Sequence, residues 1–493
     1  MTVQQDENDF LHLNQNLMSI LRIITLLLLT AIPLVAQTLP PRPFGPTPKP
    51  QQLVWHKLEY YAFVHFNMNT FTGNEWGTGK EDPSMFNPAN LDCDQWARVF
   101  KEAGMKGIII TAKHHDGFCL WPSKYTEHSV KSSVWKNGDG DVIRDLSEAC
   151  RRHGLKLGIY VSPWDRHEPS YGDSPRYNEH FKNQLRELLT NYGEVFEVWF
   201  DGACGEGPNG KRQVYDWPGF VGVVRECQPN AVIFSDGGPD VRWVGNEDGF
   251  ANPTNWSLLR RDEVYPGYPN YQELTSGHSD GTHWVPAECD VSIRPNWYYR
   301  STDDDKVKSP RELLELYFKS AGRNGSLLLN VPPDRRGLIH ERDIESLQGF
   351  RKLRDEAFAR DLARGATVVA SCVRGAAPRY QASHVVDGDE ESYWATDDSV
   401  TTASLVISFE HDTAFNCLLL QEAIQLGQRV ESFTIEIAKG DKWERVAAGT
   451  TIGYKRILTF PKVQSNRIRV TILRSRACPV ISTVSVFNTP ELS

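Results

Sequence analysis

The sequence predicts an α/β chain, a (β/α)8-like barrel of parallel strands followed by an all-β sandwich. Three observations carry that expectation. Apolar, β-rich runs alternate with charged, helix-like stretches up to about residue 363. Polar and aromatic residues gather directly after those runs. Beyond Gly365 the helix-like stretches stop, and short β-like runs separated by turn residues replace them.

The runs are Tyr61–Phe66 (YAFVHF), Gly107–Thr111 (GIIIT), Leu155–Val161 (LKLGIYV), Val195–Phe200 (VFEVWF), Ala231–Ser235 (AVIFS) and Ser326–Val331 (SLLLNV). Helix-like stretches fall at Cys93–Ala103, Val142–His153, Tyr177–Tyr192, Trp217–Cys227 and Pro310–Gly322, with a last one around Arg354–Ala363. Strands alternating with helices at this spacing indicate βαβ units and a parallel sheet. Lys113-His114-His115-Asp116, Ser162-Pro163-Trp164-Asp165, Asp201-Gly202 and Ser235-Asp236-Gly237-Gly238 all follow runs. Barrel enzymes keep their active sites at such strand ends. A doubly wound open sheet would also bind ligands there, but no Gly-rich phosphate loop follows any run. The second region holds β-like runs at 368–372, 405–409, 417–421, 430–438, 451–460, 467–473 and 481–487, a sandwich pattern. The barrel is therefore expected over 55–364 and the sandwich over 365–493.

The N-terminal part reads as an address. Ile23–Val35 is apolar, preceded by Arg22 and followed by Ala36. It is shorter than the ~20 residues that span a bilayer, so it reads as the core of a signal peptide over 1–36, cleaved near Ala36. The acidic, polar start makes Met18 the expected true initiator. A Pro-rich lead-in over 37–54 is expected to run extended across the surface. The expected location is secreted or periplasmic, with no membrane span. Lys plus Arg number 54 against 63 Asp plus Glu, a net charge of −9, and no basic stripe marks a nucleic-acid partner. The nine cysteines show no zinc-ligand spacing.

The candidate chemistry lies in carboxyl groups. Glycosidic bond cleavage uses two, one at the anomeric carbon and one on the leaving oxygen. Asp201 in VWFDG ends a buried-type run, and Gly202 lets the chain turn away. An Asp at such a place is commonly a helix cap. Glu247 in VGNEDG is the candidate acid/base, with Trp243 and Trp256 nearby to raise its pKa by partial burial, although the same residues suit a solvated turn. Glu288 in VPAECD is the rival acid. His114 and His115, adjacent on an extended segment, are expected to point to opposite sides. They are expected to hydrogen-bond a ligand rather than bind a metal. His65, Glu75 and Trp76 follow the first run and are candidates for the same pocket.

Together HFNMNTFTGNEW (65–76), TAKHHDGFCLW (111–121), YVSPWD (160–165), VWFDG (198–202) and GRNGSLLLNVPPD (322–334) resemble the α-L-fucosidases of glycoside hydrolase family 29. The resemblance implies a retaining hydrolase with Asp201 as nucleophile and a fucosylated oligosaccharide or glycoconjugate as substrate; with no third ligand beside the two histidines, no active-site metal or cofactor is expected. It implies fucose contacts from His65, Glu75, Trp76, His114, His115 and Tyr160, with Trp297 stacking on the sugar. Asn67 stands where Gly is usual, with little consequence expected. GNEDG (245–249) resembles the subgroup acting on α-1,3 and α-1,4 linkages, which favours Glu247 over Glu288. HVVDGDEESYWAT (384–396) and RIRVTIL (467–473) resemble a discoidin-like, coagulation-factor type C module, a jelly-roll sandwich often used to bind carbohydrate. Such modules often carry a structural calcium near the Asp-Gly-Asp turn. Asp387 and Asp389 are its candidate ligands, against a plain turn. They also often bridge their termini, so Cys372 and Cys478 are expected close together, with a disulfide left open against two free thiols. The alternatives are a non-catalytic glycan-binding protein, which has no need of two opposed carboxylates, and a retaining glycosidase for another sugar.

Overall fold

The computed structural model describes residues 17–19 and 38–490. The apolar segment Ile23–Val35 and Ala36 lie outside the described residues. Eight parallel strands close into a barrel. They are β1 (Tyr60–Val64), β2 (Gly107–Lys113), β3 (Lys156–Val161), β4 (Val195–Trp199), β5 (Val232–Ser235), β6 (Val241–Trp243), β7 (Ala287–Ser292) and β8 (Gly325–Asn330). Each pairs with the next in sequence, and β8 closes against β1.

Helices Cys93–Glu102, Val142–His153, Ser174–Asn191, Trp217–Cys227, Pro310–Lys319 and Glu341–Ala357 follow β1, β2, β3, β4, β7 and β8. Their starts follow ordinary capping chemistry. The Asp92, Asp141 and Ser309 side chains accept the first orphan amides, and Ser309 with Glu312 forms a reciprocal capping box. No helix of comparable length follows β5 or β6 among the described residues, and the excursion from 244 to 286 carries Glu247 instead.

β6 and β7 escape a reading by hydrophobic runs for two reasons. β6 is three residues long. β7 reads AECDVS because Glu288 and Asp290 are buried within the barrel wall. The barrel interior is otherwise aromatic and aliphatic, with Tyr61, Phe63, Ile109, Tyr160, Trp199, Phe234 and Leu328 in one cluster. Helix Pro50–His56 begins inside the Pro-rich lead-in and seals the N-terminal end. Its Trp55 indole donates to Glu197 at 3.1 Å, and the Gln52 amide donates to the Asp240 and Trp284 carbonyls.

The C-terminal region is antiparallel. Its strands are β9 (Thr367–Ala370), β10 (Trp394–Ala395), β11 (Ala403–Glu422), β12 (Val430–Lys439), β13 (Lys442–Gly449), β14 (Arg456–Ser475) and β15 (Val480–Phe487). β11 and β14 are twenty residues each and kinked by bulges. Their halves serve different neighbours. Leu405–Ser408 lies between β9 and β14, whereas Cys417–Gln421 lies against β15. Each therefore reads as two runs in the sequence. Trp394, Leu405, Phe415, Phe433, Ile468 and Val484 fill the core between the halves.

Cys372 and Cys478 are both free thiols. The Cys478 thiol lies 3.1 Å from an Arg429 guanidinium nitrogen, and that of Cys372 faces Asp397. No helix among the described residues is long and apolar enough to cross a membrane.

Candidate active site

Asp201 follows β4 by two residues, at the C-terminal end of the barrel. One carboxylate oxygen accepts the Tyr160 hydroxyl at 2.8 Å, and the other accepts the Ala203 amide at 2.7 Å. Gly202 leaves room for the Asp236 carboxyl. A β-carbon there would stand 2.3 Å from an Asp236 oxygen. Asp236, on the loop after β5, accepts the Gly267 amide, and burial with Asp201 nearby pushes its carboxyl up to about 6.

His115 Nε2 lies 3.9 Å from Asp201, and His115 Nδ1 lies 2.7 Å from Ser162 Oγ. Ser162 spends its own proton on the Trp164 carbonyl, so Nδ1 donates and Nε2 is left as an acceptor. His65 is arranged the same way. Asn330 Oδ1 accepts from both the backbone and Nδ1 of His65, at 3.2 and 2.9 Å. Burial lowers the pKa of His65, to about 3, and of His115 and the neighbouring His114, which favours neutral rings beside Asp201.

The His114 and His115 rings are 4.1 Å apart, side by side rather than opposed. β2 ends at Lys113 with a register break against β3, and a turn rather than a strand carries the pair. His114 stacks on Tyr160 at 5.6 Å, and its buried Nδ1 has no partner. Among the described residues no group of three or more His, Cys, Asp or Glu could hold a metal ion.

Trp297 follows β7 and packs at 5.0 Å from the His65 ring. Its indole N–H donates to Glu247 at 3.2 Å. Burial, with Asp201 and Glu75 nearby, holds the Glu247 carboxyl above the ordinary range. Glu75 accepts the Trp297 amide at 2.5 Å and an Arg300 nitrogen at 3.1 Å. Trp76 is 57% exposed and stands edge-on to His115 at 5.7 Å, at the rim. The nine residues read as one site thus form one connected set.

Glu288 does not belong to it. It is fully buried, accepting the Trp199 indole at 2.7 Å and the Tyr61 hydroxyl. It lies against Glu197, and burial pushes both carboxyls up. Burial and the closeness of the two carboxyls both disfavour two full charges under the floor of the pocket. The floor is Trp199, stacked on Tyr160 at 5.2 Å and Phe234 at 3.9 Å.

Asn67 has a structural consequence after all. It is buried, caps the short helix Met68–Thr72, and donates to Asp116 at 2.8 Å, beside His115. Asp387 and Asp389 lie far along the chain in the C-terminal region. Asp387 accepts Ser392 and the Asp389 amide, and Asp389 accepts the Glu391 amide, which closes local turns.

A family model for alpha-L-fucosidase matches residues 48–352, and one for the F5/8 type C domain matches residues 367–483. The chain belongs to the alpha-L-fucosidase family. It is a fucosidase of glycoside hydrolase family 29 carrying a C-terminal discoidin-like domain. Among curated proteins it is 46% identical to the putative alpha-L-fucosidase 1 of Oryza sativa subsp. japonica over 92% of this chain and 87% of that one. It is 44% identical to alpha-L-fucosidase 1 of Arabidopsis thaliana over 91% and 88%. Among solved structures, a putative alpha-L-fucosidase from Bacteroides thetaiotaomicron superposes with a TM-score of 0.86 at 40% identity, covering 92% of this chain and all of that one. A Ruminococcus gnavus family 29 fucosidase in complex with fucose gives 0.84 at 33% identity, covering 92% and 98%.

Three residues that hold the side chains around Asp201 and Glu247 were not singled out from the sequence. Asn330 was legible as the one amide ending an apolar run (SLLLN), and Trp199 as the aromatic before Phe200-Asp201. Arg300 carries no local signal.

Proposed function

We propose that this fucosidase releases terminal α-L-fucose with retention, Asp201 acting as nucleophile and Glu247 as acid/base. One observation carries the reading. Two carboxyl groups are drawn to one aromatic pocket under opposite conditions. Asp201 is held by two donors, which orient it as a nucleophile. Glu247 is desolvated and near two other carboxylates, which favours the protonated form an acid needs.

The steps follow. Asp201 attacks the anomeric carbon as Glu247 gives its proton to the leaving glycosidic oxygen, and a covalent fucosyl ester forms. Glu247, now a carboxylate, takes a proton from water. That water breaks the ester and restores both groups. The acceptor nitrogens of His65 and His115 suit sugar hydroxyls, and the indoles of Trp76 and Trp297 suit the apolar face of the ring.

The GNEDG segment supports α-1,3 and α-1,4 linkages on branched glycans, with α-1,2 linkages poor. We also read Ile23–Val35 as an export signal that places the enzyme outside the cytoplasm, which N-terminal sequencing of exported protein tests. The deciding experiment is proton NMR during hydrolysis of a Lewis-type trisaccharide. α-L-Fucose appearing before its β anomer supports the reading. Initial β-fucose, or no release, removes it. Equal rates on α-1,2 substrates remove only the linkage assignment.

A further inference from the structure

We infer that Arg300 is a positioning residue for the acid/base, acting through Glu75 and Trp297 on Glu247. The inference rests on the reading of Glu247 given above and adds what aims it.

Three contacts form the relay. Arg300 Nη2 donates to one oxygen of Glu75 at 3.1 Å. The other oxygen of Glu75 accepts the backbone amide of Trp297 at 2.5 Å. The indole of Trp297 donates to Glu247 Oε2 at 3.2 Å. A fourth contact fixes the same residue from the opposite side, since Asn330 donates to the Trp297 carbonyl at 2.8 Å. The peptide groups of Trp297 are thus pinned on both sides, and its ring, packed on His65, meets the acid.

The chemistry of each link gives the relay its direction. An indole N–H only donates, so Glu247 Oε2 must accept whether the carboxyl is protonated or not. The carbonyl oxygen of a protonated carboxyl is the better acceptor, so this contact favours Oε1 as the oxygen that carries the proton to be delivered. Glu75 must stay ionised to grip the Trp297 amide strongly. Burial works against that, pushing its carboxyl up, while the Trp297 amide and Arg300 pull it down. Arg300 itself is part-buried and meets the acid only through these partners. Without it Glu75 can turn or take up a proton, and the indole loses its fixed aim.

The test reads dependence on the leaving group. General-acid assistance is worth ~10²–10⁴-fold on a poor leaving group and little on a good one. For R300M, kcat/KM on a fucosylated trisaccharide should fall about tenfold, a part of that range. On dinitrophenyl fucoside it should stay within about twofold. R300K, which restores a point charge to Glu75 without the planar fork, should regain most of the loss. Near-UV circular dichroism of both variants confirms that the aromatic pocket is intact. An equal fall on both substrates would mean that Arg300 merely supports the sugar pocket, and it overturns the relay. So would no fall on either substrate. E247Q, run alongside, separates the two readings. If E247Q shows no dependence on the leaving group, the acid itself was misassigned. If E247Q shows it and R300M does not, only the relay fails.

Discussion

The two ends of the barrel solve opposite problems. At the C-terminal end polar groups are left open. His65 and His115 keep bare acceptor nitrogens, buried His114 Nδ1 is unpaired, and carboxyls are held away from their ordinary titration. At the N-terminal end polar groups are drawn into pairs, several of them with the discoidin-like domain. Asn324, just before β8, donates its backbone amide to Lys455 and its side chain to Asn255 and Ser257, and it accepts from Tyr454. Gln428 accepts the Ser257 amide and donates to the Asn255 carbonyl. Glu59, just before β1, meets Lys455, Tyr317 and Tyr454. Asn324 and Glu59 both adopt left-handed backbone, at φ 61° and 58°. That is easy for Asn and costly for Glu, so these side-chain contacts hold Glu59 where its backbone would not go unaided. Polar groups paired across the two domains at one end serve stability. Open ones at the other carry chemistry.

The sharpest way to separate the ends is to break one of each. D201N removes the negative charge, its single amide oxygen can still accept the Ala203 amide, and the Tyr160 hydroxyl can turn to accept from the new amide nitrogen. Turnover should fall about 10⁴-fold or more, with the thermal midpoint unchanged and fucose still bound. Near-normal turnover would strike Asp201 from the mechanism. K455M acts on the other end. It leaves Glu59 without its cation, at a cost of about 3 kcal/mol, while kcat/KM at 25 °C stays within about twofold. Denaturant titration and steady-state kinetics on the same sample check both halves. The pH dependence has a definite sign. Burial pushes the Glu59 carboxyl up, but Lys455 and the two tyrosines hold it below the ordinary range. Its stabilisation is thus present above the ordinary carboxylate pKa of ~4.3 and fades as pH falls through the lower folded value. Wild type and K455M should converge in stability under acid.

A smaller effect tests a residue inside the open end. Asn330 uses its oxygen on His65 and its amide on Ser292 Oγ and the Trp297 carbonyl. N330D keeps shape and loses both donors. It also sets a carboxylate beside His65 Nδ1, which favours the imidazolium and removes the Nε2 acceptor. We expect kcat/KM to fall about tenfold to a hundredfold, as for a displaced binding group, with a modest loss of stability. Unchanged kinetics would show that His65 orientation does not matter.

Much of the open end was legible because its residues sit in short motifs directly after apolar runs, where local sequence dictates both strand and loop. VWFDG placed Asp201, and HFNMNTFTGNEW placed His65, Glu75 and Trp76. What escaped was set by partners far along the chain. β7 has no apolar run, because Glu288 satisfies its charge on Tyr61 and Trp199. The side-by-side pose of His114 and His115 depends on a register break against β3. The closed end was illegible for the same reason. Gln428 and Asn255 stand 173 positions apart, and nothing near either announces the other. Arg300 carries no signal because its meaning lies wholly in the distant Glu75.

The smallest effect is expected at the rim, and it asks where the open end stops. Trp76 is more than half exposed, touching His115 and Trp164 only by ring edges at 5.7 Å. Such edge contacts and the lost stacking area are worth ~0.5–1.5 kcal/mol. An exposed side chain adds little to folding, so W76A should leave the denaturation midpoint in place. The indole would be felt only when sugar covers it. KM should then rise about two- to tenfold at nearly constant kcat, the pattern of an interaction equally strong in ground and transition states. Inhibition by free fucose decides how far the contact reaches. If Trp76 lies over the fucose ring, the fucose inhibition constant rises in step with KM. If it rises for the trisaccharide alone, Trp76 grips the sugar beyond fucose, and the fucose pocket ends at His115.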